Sequence, residues 1–273
     1  MTTIAFIGAG NMSGAIIGGL IENGVDPKKI WASTPNQSSM DRLSNALGIQ
    51  TTTNSEEAVT AADVVIMGVK PQVMESVLRP LQTVLQDKKP LVISVAAGLN
   101  LHSLSTWMGG NLPIVRCMPN TPSLVQQGAS GLFPNENVTD AQKTISEEIL
   151  NAVGISVWVQ NEAELNAVTA VSGSGPAYYF LFMEAMIEAG EKLGLSRETA
   201  TTLTLKTALG AATMASQSDD SPAQLRRKVT SPNGTTEKAV NSLIDQGLVA
   251  VVDKAMQAAS DRSVTLSDEL GAK

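Results

Sequence analysis

Two stretches of this chain gather small residues and hydrogen-bond donors in patterns suited to holding anions. In the first, Gly8-Ala9-Gly10-Asn11-Met12-Ser13-Gly14 follows the apolar run IAFI directly and opens an amphipathic segment. In a dinucleotide-binding turn the first glycine permits the tight bend and the second lets the backbone approach a pyrophosphate. The free N–H groups of the helix start then hold the anion. Gly8 and Gly10 fit these roles. The third glycine of the fingerprint is Ser13 here, with Gly14 one place later, so the match is to the relaxed form, which still allows close helix packing. The second stretch, VTSPNGTTEKAV at residues 229–240, sets Ser231, Gly234, Thr235 and Thr236 just ahead of a new helical pattern. Consecutive donors at a helix N-terminus suit a carboxylate, because the open amides and the helix dipole both favour an anion. On the residues alone, an ordinary interhelical turn with a threonine cap fits equally well.

The end of the second apolar run, WASTPNQSS, bears on the choice of cofactor. NAD-binding domains place an acid there for the ribose hydroxyls, and no acid occurs between residues 30 and 40. Ser33, Thr34, Asn36 and Gln37 are neutral donors suited to a 2′-phosphate, and an arginine joins them only if Arg42 folds back. NADPH is favoured and NADH stays open. Two further loops end apolar runs at the same expected edge: GVKPQ, with Val69, Lys70 and Pro71, and SVAAG, with Ala96 and Ala97. For Lys70 the alternative is a solvated charge.

The elements that must position these residues are legible from the hydrophobic pattern. Short β-branched runs (IAFIG, IWAS, VVIMGV, LVISVAAG, IVRCM) alternate with amphipathic segments at residues 11–23, 38–47, 72–85 and 101–108, which predicts a mainly parallel sheet covered on both faces. ASGLF and SVWV read as closing strands around a helix at 140–152. Beyond about residue 159 no strand pattern remains. Helices are expected at 162–192, 196–216, 222–228, 235–246 and 248–260, with Ser196 and Ser221 as N-caps and Gly194 as a stop. The expected fold is therefore α/β: an N-terminal Rossmann-type doubly wound sheet at 1–160, followed by an all-helical C-terminal domain at 161–273. YYFLFMEAMIEA and LTLKTALGAATMA are apolar around most of their circumference, which calls for a homodimer that packs them between protomers or for a fully buried central helix.

Composition narrows the chemistry. The 273 residues carry a formal net charge of −7, and Arg226-Arg227-Lys228 is their longest basic run, which argues against a nucleic-acid partner. No apolar run reaches the length of a membrane helix, and the N-terminal run lacks the pattern of a signal peptide, so a cytoplasmic address is expected. One histidine, His102, and one cysteine, Cys117, supply neither a Cys/His metal site nor a disulfide framework. His102 lies in a polar helix start with no catalytic partner near it in sequence, so imidazole and thiol are not expected to do the chemistry.

Taken together, FIGAGNM with AIIGGL, VKPQ, SVAAG, RCMPNTP, AVTAVSGSGPAYYFLFMEAM, VTSPNGTT and DKAMQAASDRS resemble the pyrroline-5-carboxylate reductases, in order and over nearly the whole chain. The resemblance implies NADPH-linked reduction of 1-pyrroline-5-carboxylate, a small imino acid, to L-proline as the last step of proline biosynthesis. It also implies a helical dimerisation domain and a homodimer or higher homo-oligomer. It places Gly8, Ala9, Gly10, Asn11, Met12, Ser33, Asn36, Asn54, Val69, Lys70, Pro71, Ala96 and Ala97 on the cofactor, and Met118, Pro119 and Asn120 near the nicotinamide ribose. Ser231, Gly234, Thr235 and Thr236 would hold the substrate carboxylate, with the Thr236 hydroxyl reaching the ring nitrogen and Asp219 beside the site. Two positions depart from the family pattern: Asn233 replaces a glycine, and Lys206 stands where a neutral residue is usual. Asparagine tolerates a left-handed backbone, so the loop is expected to survive.

This chemistry suits a chain so poor in histidine and cysteine. A protonated cyclic imine already carries an electrophilic carbon, so orientation against the nicotinamide and capture of the carboxylate are the main requirements. A β-hydroxyacid dehydrogenase would need an Asn and a Lys on the glycine-rich helix, and SGSGPAYYFLFM has neither. A regulatory NADP sensor would leave TSPNGTT unexplained.

Overall fold

The computed structural model describes residues 2–271. The chain runs β1 (Ile4–Ile7), α1 (Asn11–Glu22), β2 (Ile30–Ser33), α2 (Gln37–Leu47), β3 (Gln50–Thr52), α3 (Ser55–Ala61), β4 (Val64–Met67), α4 (Met74–Lys88), β5 (Leu91–Ser94), α5 (Leu101–Trp107), β6 (Ile114–Met118), β7 (Gly128–Pro134), α6 (Asp140–Asn151) and β8 (Gly154–Trp158). Eight strands form one sheet in the order β3-β2-β1-β4-β5-β6-β7-β8. The first six in chain order pair in parallel, β7 is antiparallel to β6, and β8 is parallel to β7. This is the expected doubly wound sheet. The period of two is visible in β1, where Ile4 and Phe6 enter one core with Ile16 and Ile17 of α1, while Ala5 and Ile7 enter the other with Leu78 of α4 and Trp107 of α5.

The strand β3 and the helix α3 have no counterpart in the sequence reading. QTT is short, polar and half-buried at the sheet's edge, so no apolar run marks it. They extend the sheet beyond β2 on one side of β1, while β4 pairs with β1 on the other, so the strand order reverses between β1 and β4.

The helical half contains α7 (Glu164–Val168), a π-helical turn at Thr169–Gly173, α8 (Gly175–Lys192), α9 (Arg197–Ser216), α10 (Pro222–Lys228), α11 (Thr235–Asp245) and α12 (Leu248–Leu270). Ser196 caps α9 through the Thr199 N–H, and Ser221 caps α10 in a reciprocal box with Gln224. The segment expected as one helix at 162–192 is divided by the π turn. Helix α12 also runs ten residues past the expected end at 260, because its last turns have apolar ground to cover: Leu266 packs against Gly98, where a Cβ would lie 2.8 Å from Leu266 Cδ2.

Two compact units result. One runs to Ser174 and takes up the chain again from Ala258; the other is Gly175–Gln257. In the second unit α8 buries only Gly175 and leaves Tyr179, Phe180 and Leu181 each about two-thirds exposed. The reading of α8 as a fully buried central helix therefore fails, and apolar faces on α8, α9 and α12 remain to be covered. No described helix is long and apolar enough to cross a membrane.

Candidate active site

Ligands of open parallel sheets lie beyond the carboxyl ends of the strands at the switch point, here between β1 and β4. Gly8 follows β1 with φ +93°, and a Cβ there would stand 2.7 Å from Val69 Cγ1 and 2.8 Å from the Gly68 carbonyl carbon. Its N–H donates to the Ser33 carbonyl at 2.8 Å, tying the turn to β2. Gly68 is as tightly placed, since a Cβ on it would meet Ser13 Oγ at 2.1 Å. Gly10 is the N-cap of α1 with no side-chain cap and no acid in the first turn, and a Cβ on it would meet nothing within 4 Å. That combination, open amides at a 12-residue helix start beside space a side chain would fill, is what a pyrophosphate requires.

One expectation is corrected at this turn. The close packing expected of the relaxed turn is not found at Gly14, where an added Cβ meets nothing within 4 Å; it falls at Gly19, where one would lie 2.4 Å from the Ala152 carbonyl oxygen. The two positions stand five residues apart on α1, so they point in different directions, and only tertiary structure decides which faces α6 and β8.

A groove of about 400 Å³ begins at this turn, lined among others by Ala9, Gly10, Asn11, Gly14, Arg42 and Ser123. Arg42 of α2 lines this groove and is exposed. A second hollow, of about 380 Å³ and lined by Leu20, Val25, Lys29 and Ile149 among others, opens at the amino ends of the strands. Sheets of this kind do not bind their ligands at that edge.

The donors after β2 divide. Ser33 is fully buried, its hydroxyl 2.9 Å from Ser55 Oγ. Thr34 is half-buried and Asn36 is exposed. Asn36 Oδ1 accepts from the Ser39 N–H at 3.2 Å as the cap of α2, which leaves its amide Nδ2 for an anion. Asn54 caps α3 in the same manner, accepting from the Glu56 N–H at 3.0 Å. Lys70 is exposed beyond β4 beside half-buried Val69 and Pro71, and Ala96 is buried with Ala97 half-buried beyond β5. After β6, Met118 abuts the π turn, since a Cβ on Gly173 would lie 2.4 Å from Met118 Cε, and Pro119 is buried. Asn120 is buried and spends its amide inside the protein, on the Ser172 carbonyl at 3.0 Å and the Ala129 N–H at 2.9 Å. Cys117 is buried and its thiol is pushed up to about 12, chiefly by desolvation and partly offset by Ser130, so it is inert as a nucleophile.

The second unit carries the other group. Asn233 adopts φ +59°, the left-handed conformation in which the family resemblance expects glycine. Its N–H donates to Glu237 Oε2 at 2.8 Å, so the third residue of α11 reaches back to brace the loop. The Gly234 N–H donates to the Ser231 carbonyl at 3.0 Å, and no side chain caps α11. The first-turn amides of Thr235, Thr236 and Glu237 thus lack intrahelical acceptors, with exposed Ser231, Thr235 and Thr236 hydroxyls beside them. Asp219 is exposed in the turn between α9 and α10, and Lys206 is exposed on α9. Sequence reasoning passed over Gly68, Ser55 and Glu237. Only Glu237 had a local signal, an acid at the third position of a helix; the other two matter through residues distant in the chain. Among the described residues no group of His, Cys, Asp and Glu is arranged to hold a metal.

These two anion-suited helix starts coincide with a family likeness over the whole chain. Residues 162–266 match the family described as pyrroline-5-carboxylate reductase dimerisation, and residues 3–98 match the one described as NADP oxidoreductase, coenzyme F420-dependent. The pyrroline-5-carboxylate reductase of Pseudomonas aeruginosa is 53% identical over 268 residues, covering 98% of each chain. The structure of a pyrroline-5-carboxylate reductase from Coxiella burnetii has a TM-score of 0.94 at 44% identity, over 100% of this chain and 99% of that one. Plasmodium falciparum pyrroline carboxylate reductase, solved with NADP bound, has a TM-score of 0.85 at 31% identity, over 97% of this chain and 98% of that one. A glycine turn at the β1–β4 switch, a donor loop braced by Glu237, and this identity from end to end have one explanation: the chain belongs to the pyrroline-5-carboxylate reductase family.

Proposed function

We propose that this protein reduces 1-pyrroline-5-carboxylate to L-proline with NADPH, as the last step of proline biosynthesis, and works as a homodimer or higher homo-oligomer in the cytoplasm. The observation that supports this most is the presence, one in each unit, of two anion-suited helix starts, the bare N-terminus of α1 and that of α11, in a chain whose described residues offer neither a metal cluster nor a reactive thiol. The residues fit a dinucleotide: Gly8 to Met12 cradle the pyrophosphate, while Ser33, Thr34, Asn36 and Asn54 face the adenosine end with Arg42 adding charge. Val69, Lys70, Pro71, Ala96 and Ala97 flank the cofactor along the sheet edge. Bound there, the dinucleotide supplies a hydride.

The amides and hydroxyls of Ser231, Gly234, Thr235 and Thr236 hold the substrate carboxylate, and the Thr236 hydroxyl orients the ring nitrogen. Asp219 stands beside them. The imine nitrogen already bears its proton in water, so the carbon gains a hydride and the product is the secondary amine, with no strong general acid required. NADH serves less well, since no acid stands between residues 30 and 40 to receive free ribose hydroxyls. The exposed apolar faces of α8, α9 and α12 meet those of a second protomer.

The test is oxidation of NADPH and of NADH by the purified protein with 1-pyrroline-5-carboxylate, followed by nicotinamide absorbance and by assay of proline. Proline formed faster with NADPH supports both readings. Dinucleotide binding without turnover would overturn the assigned reaction.

A further inference from the structure

Position 176 is a proline, and in a helix the N–H of that residue would bond the carbonyl four places earlier, that of Ser172. Proline has no N–H to give. A buried carbonyl left without a donor costs about 1–3 kcal/mol, so a replacement is expected nearby. The structure provides one from far along the chain: Asn120 Nδ2 donates to the Ser172 carbonyl at 3.0 Å. The amide's orientation is not ambiguous, because its Oδ1 faces the Ala129 N–H at 2.9 Å and an N–H can only donate. Around this bond the helix widens into the π turn at Thr169–Gly173, where the Ser174 N–H reaches the Thr169 carbonyl at 2.7 Å. The hydroxyls of Thr169 and Ser172 fold back onto the Leu165 and Val168 carbonyls at 2.7 and 3.0 Å. Gly173 then lies flat against Met118, at the end of β6. Two residues at the carboxyl edge of the sheet, Met118 and Asn120, thus anchor a helix interruption of a kind that recurs at functional sites.

We propose that Asn120 is a positioning residue for the reduction: it replaces the donor that Pro176 lacks and fixes the π turn against the end of β6. With both ends of its amide engaged inside the protein, Asn120 acts through Ser172. The inference rests on the proposed reaction, whose edge of the sheet it keeps in register.

The test is a double-mutant cycle. Asn120→Asp keeps the acceptor for Ala129 and deletes the donor to Ser172, while Pro176→Ala returns a backbone N–H to the helix. Read out are the NADPH dissociation constant by fluorescence titration, kcat and KM for both substrates, and the thermal midpoint. Asn120→Asp is expected to lower kcat by on the order of tenfold to a hundredfold with the NADPH dissociation constant within about threefold of the parent. Pro176→Ala alone is expected to stay near the parent, and the double variant to recover most of the lost kcat. Loss of NADPH affinity with kcat unchanged would overturn the proposal, as would a double variant no better than Asn120→Asp. If Asn120→Asp does not fold, recovery of the folded state by Pro176→Ala supports the proposal and its failure overturns it. An unmutated protein that binds NADPH and reduces no imine would sink the assigned reaction, while the thermal cycle would still measure the coupling of Asn120 to Ser172.

Discussion

The hydroxyl of Ser13 donates to the carbonyl of Gly8 at 2.6 Å, closing the β1–α1 turn from inside α1. Ser13 is fully buried, and the same oxygen would lie 2.1 Å from a Cβ on Gly68. The serine at the place of the fingerprint's third glycine therefore closes the turn with a hydrogen bond, while the close helix approach falls at Gly19. Its replacement by alanine removes that donor at a cost of about 1 kcal/mol, and NADPH affinity is expected to fall about threefold. Gly68→Ala, which drives a methyl into the Ser13 hydroxyl, is expected to destabilise by about 1–3 kcal/mol. Denaturant midpoints and calorimetric titration with NADPH measure both.

Gly8 and Gly10 are expected to separate folding from binding. Gly8→Ala places a side chain at φ +93° and against Val69, so stability and NADPH binding both drop. At Gly10 an added methyl meets open space in the protein itself, so Gly10→Ala leaves the unfolding midpoint nearly unchanged. It would occupy the place proposed for the pyrophosphate, and NADPH affinity is expected to fall by about tenfold or more. Equal binding losses with equal stability losses would mean that Gly10 is merely structural.

Thr236→Ala is expected to lower turnover more than NADPH affinity, because the proposed role of its hydroxyl is to hold the substrate. In the same loop Asn233→Gly should retain activity, whereas Asn233→Val, at φ +59°, is strained by about 1–3 kcal/mol and disturbs the brace to Glu237. Steady-state kinetics on both substrates separates the two effects.

Leu181 lies on the exposed face of α8. A charge there, as in Leu181→Glu, is expected to shift the protein from homo-oligomer toward monomer in light scattering after gel filtration, since like charges would be buried across the interface. A variant of unchanged mass would remove α8 from that interface.

Cys117 gives a pH dependence of definite sign. Its folded pKa is raised above the ordinary 9.0 to about 12, so its contribution to stability is complete below pH 9 and is lost as pH rises from 9 toward 12. Cys117→Ser is expected to flatten that alkaline decline, and the native thiol to resist alkylation at neutral pH. Rapid alkylation of the folded protein would contradict its burial.

What the sequence determined by itself was everything written in local periodicity and local steric rules. The apolar runs named β1, β2, β4, β5 and β6, Gly8 and Gly10 announced the turn, Ser196 and Ser221 announced their helices, and Asn233 accepted the left-handed φ of its loop. These features depend on neighbours within a turn or two, so their residue types suffice to read them. Tertiary structure alone decided the rest. It placed the edge strand β3, whose polar QTT has no pattern to show, and chose Gly19 over Gly14 for the close helix approach. It set Arg42 in the lining of the groove at Gly10, buried Ser33 against Ser55, and brought Asn120 across 52 residues of chain to the Ser172 carbonyl. Pro176 declares in the sequence that a donor is missing; which residue supplies it depends on how the sheet and the helix that follows it pack, and that is a property of the folded chain as a whole.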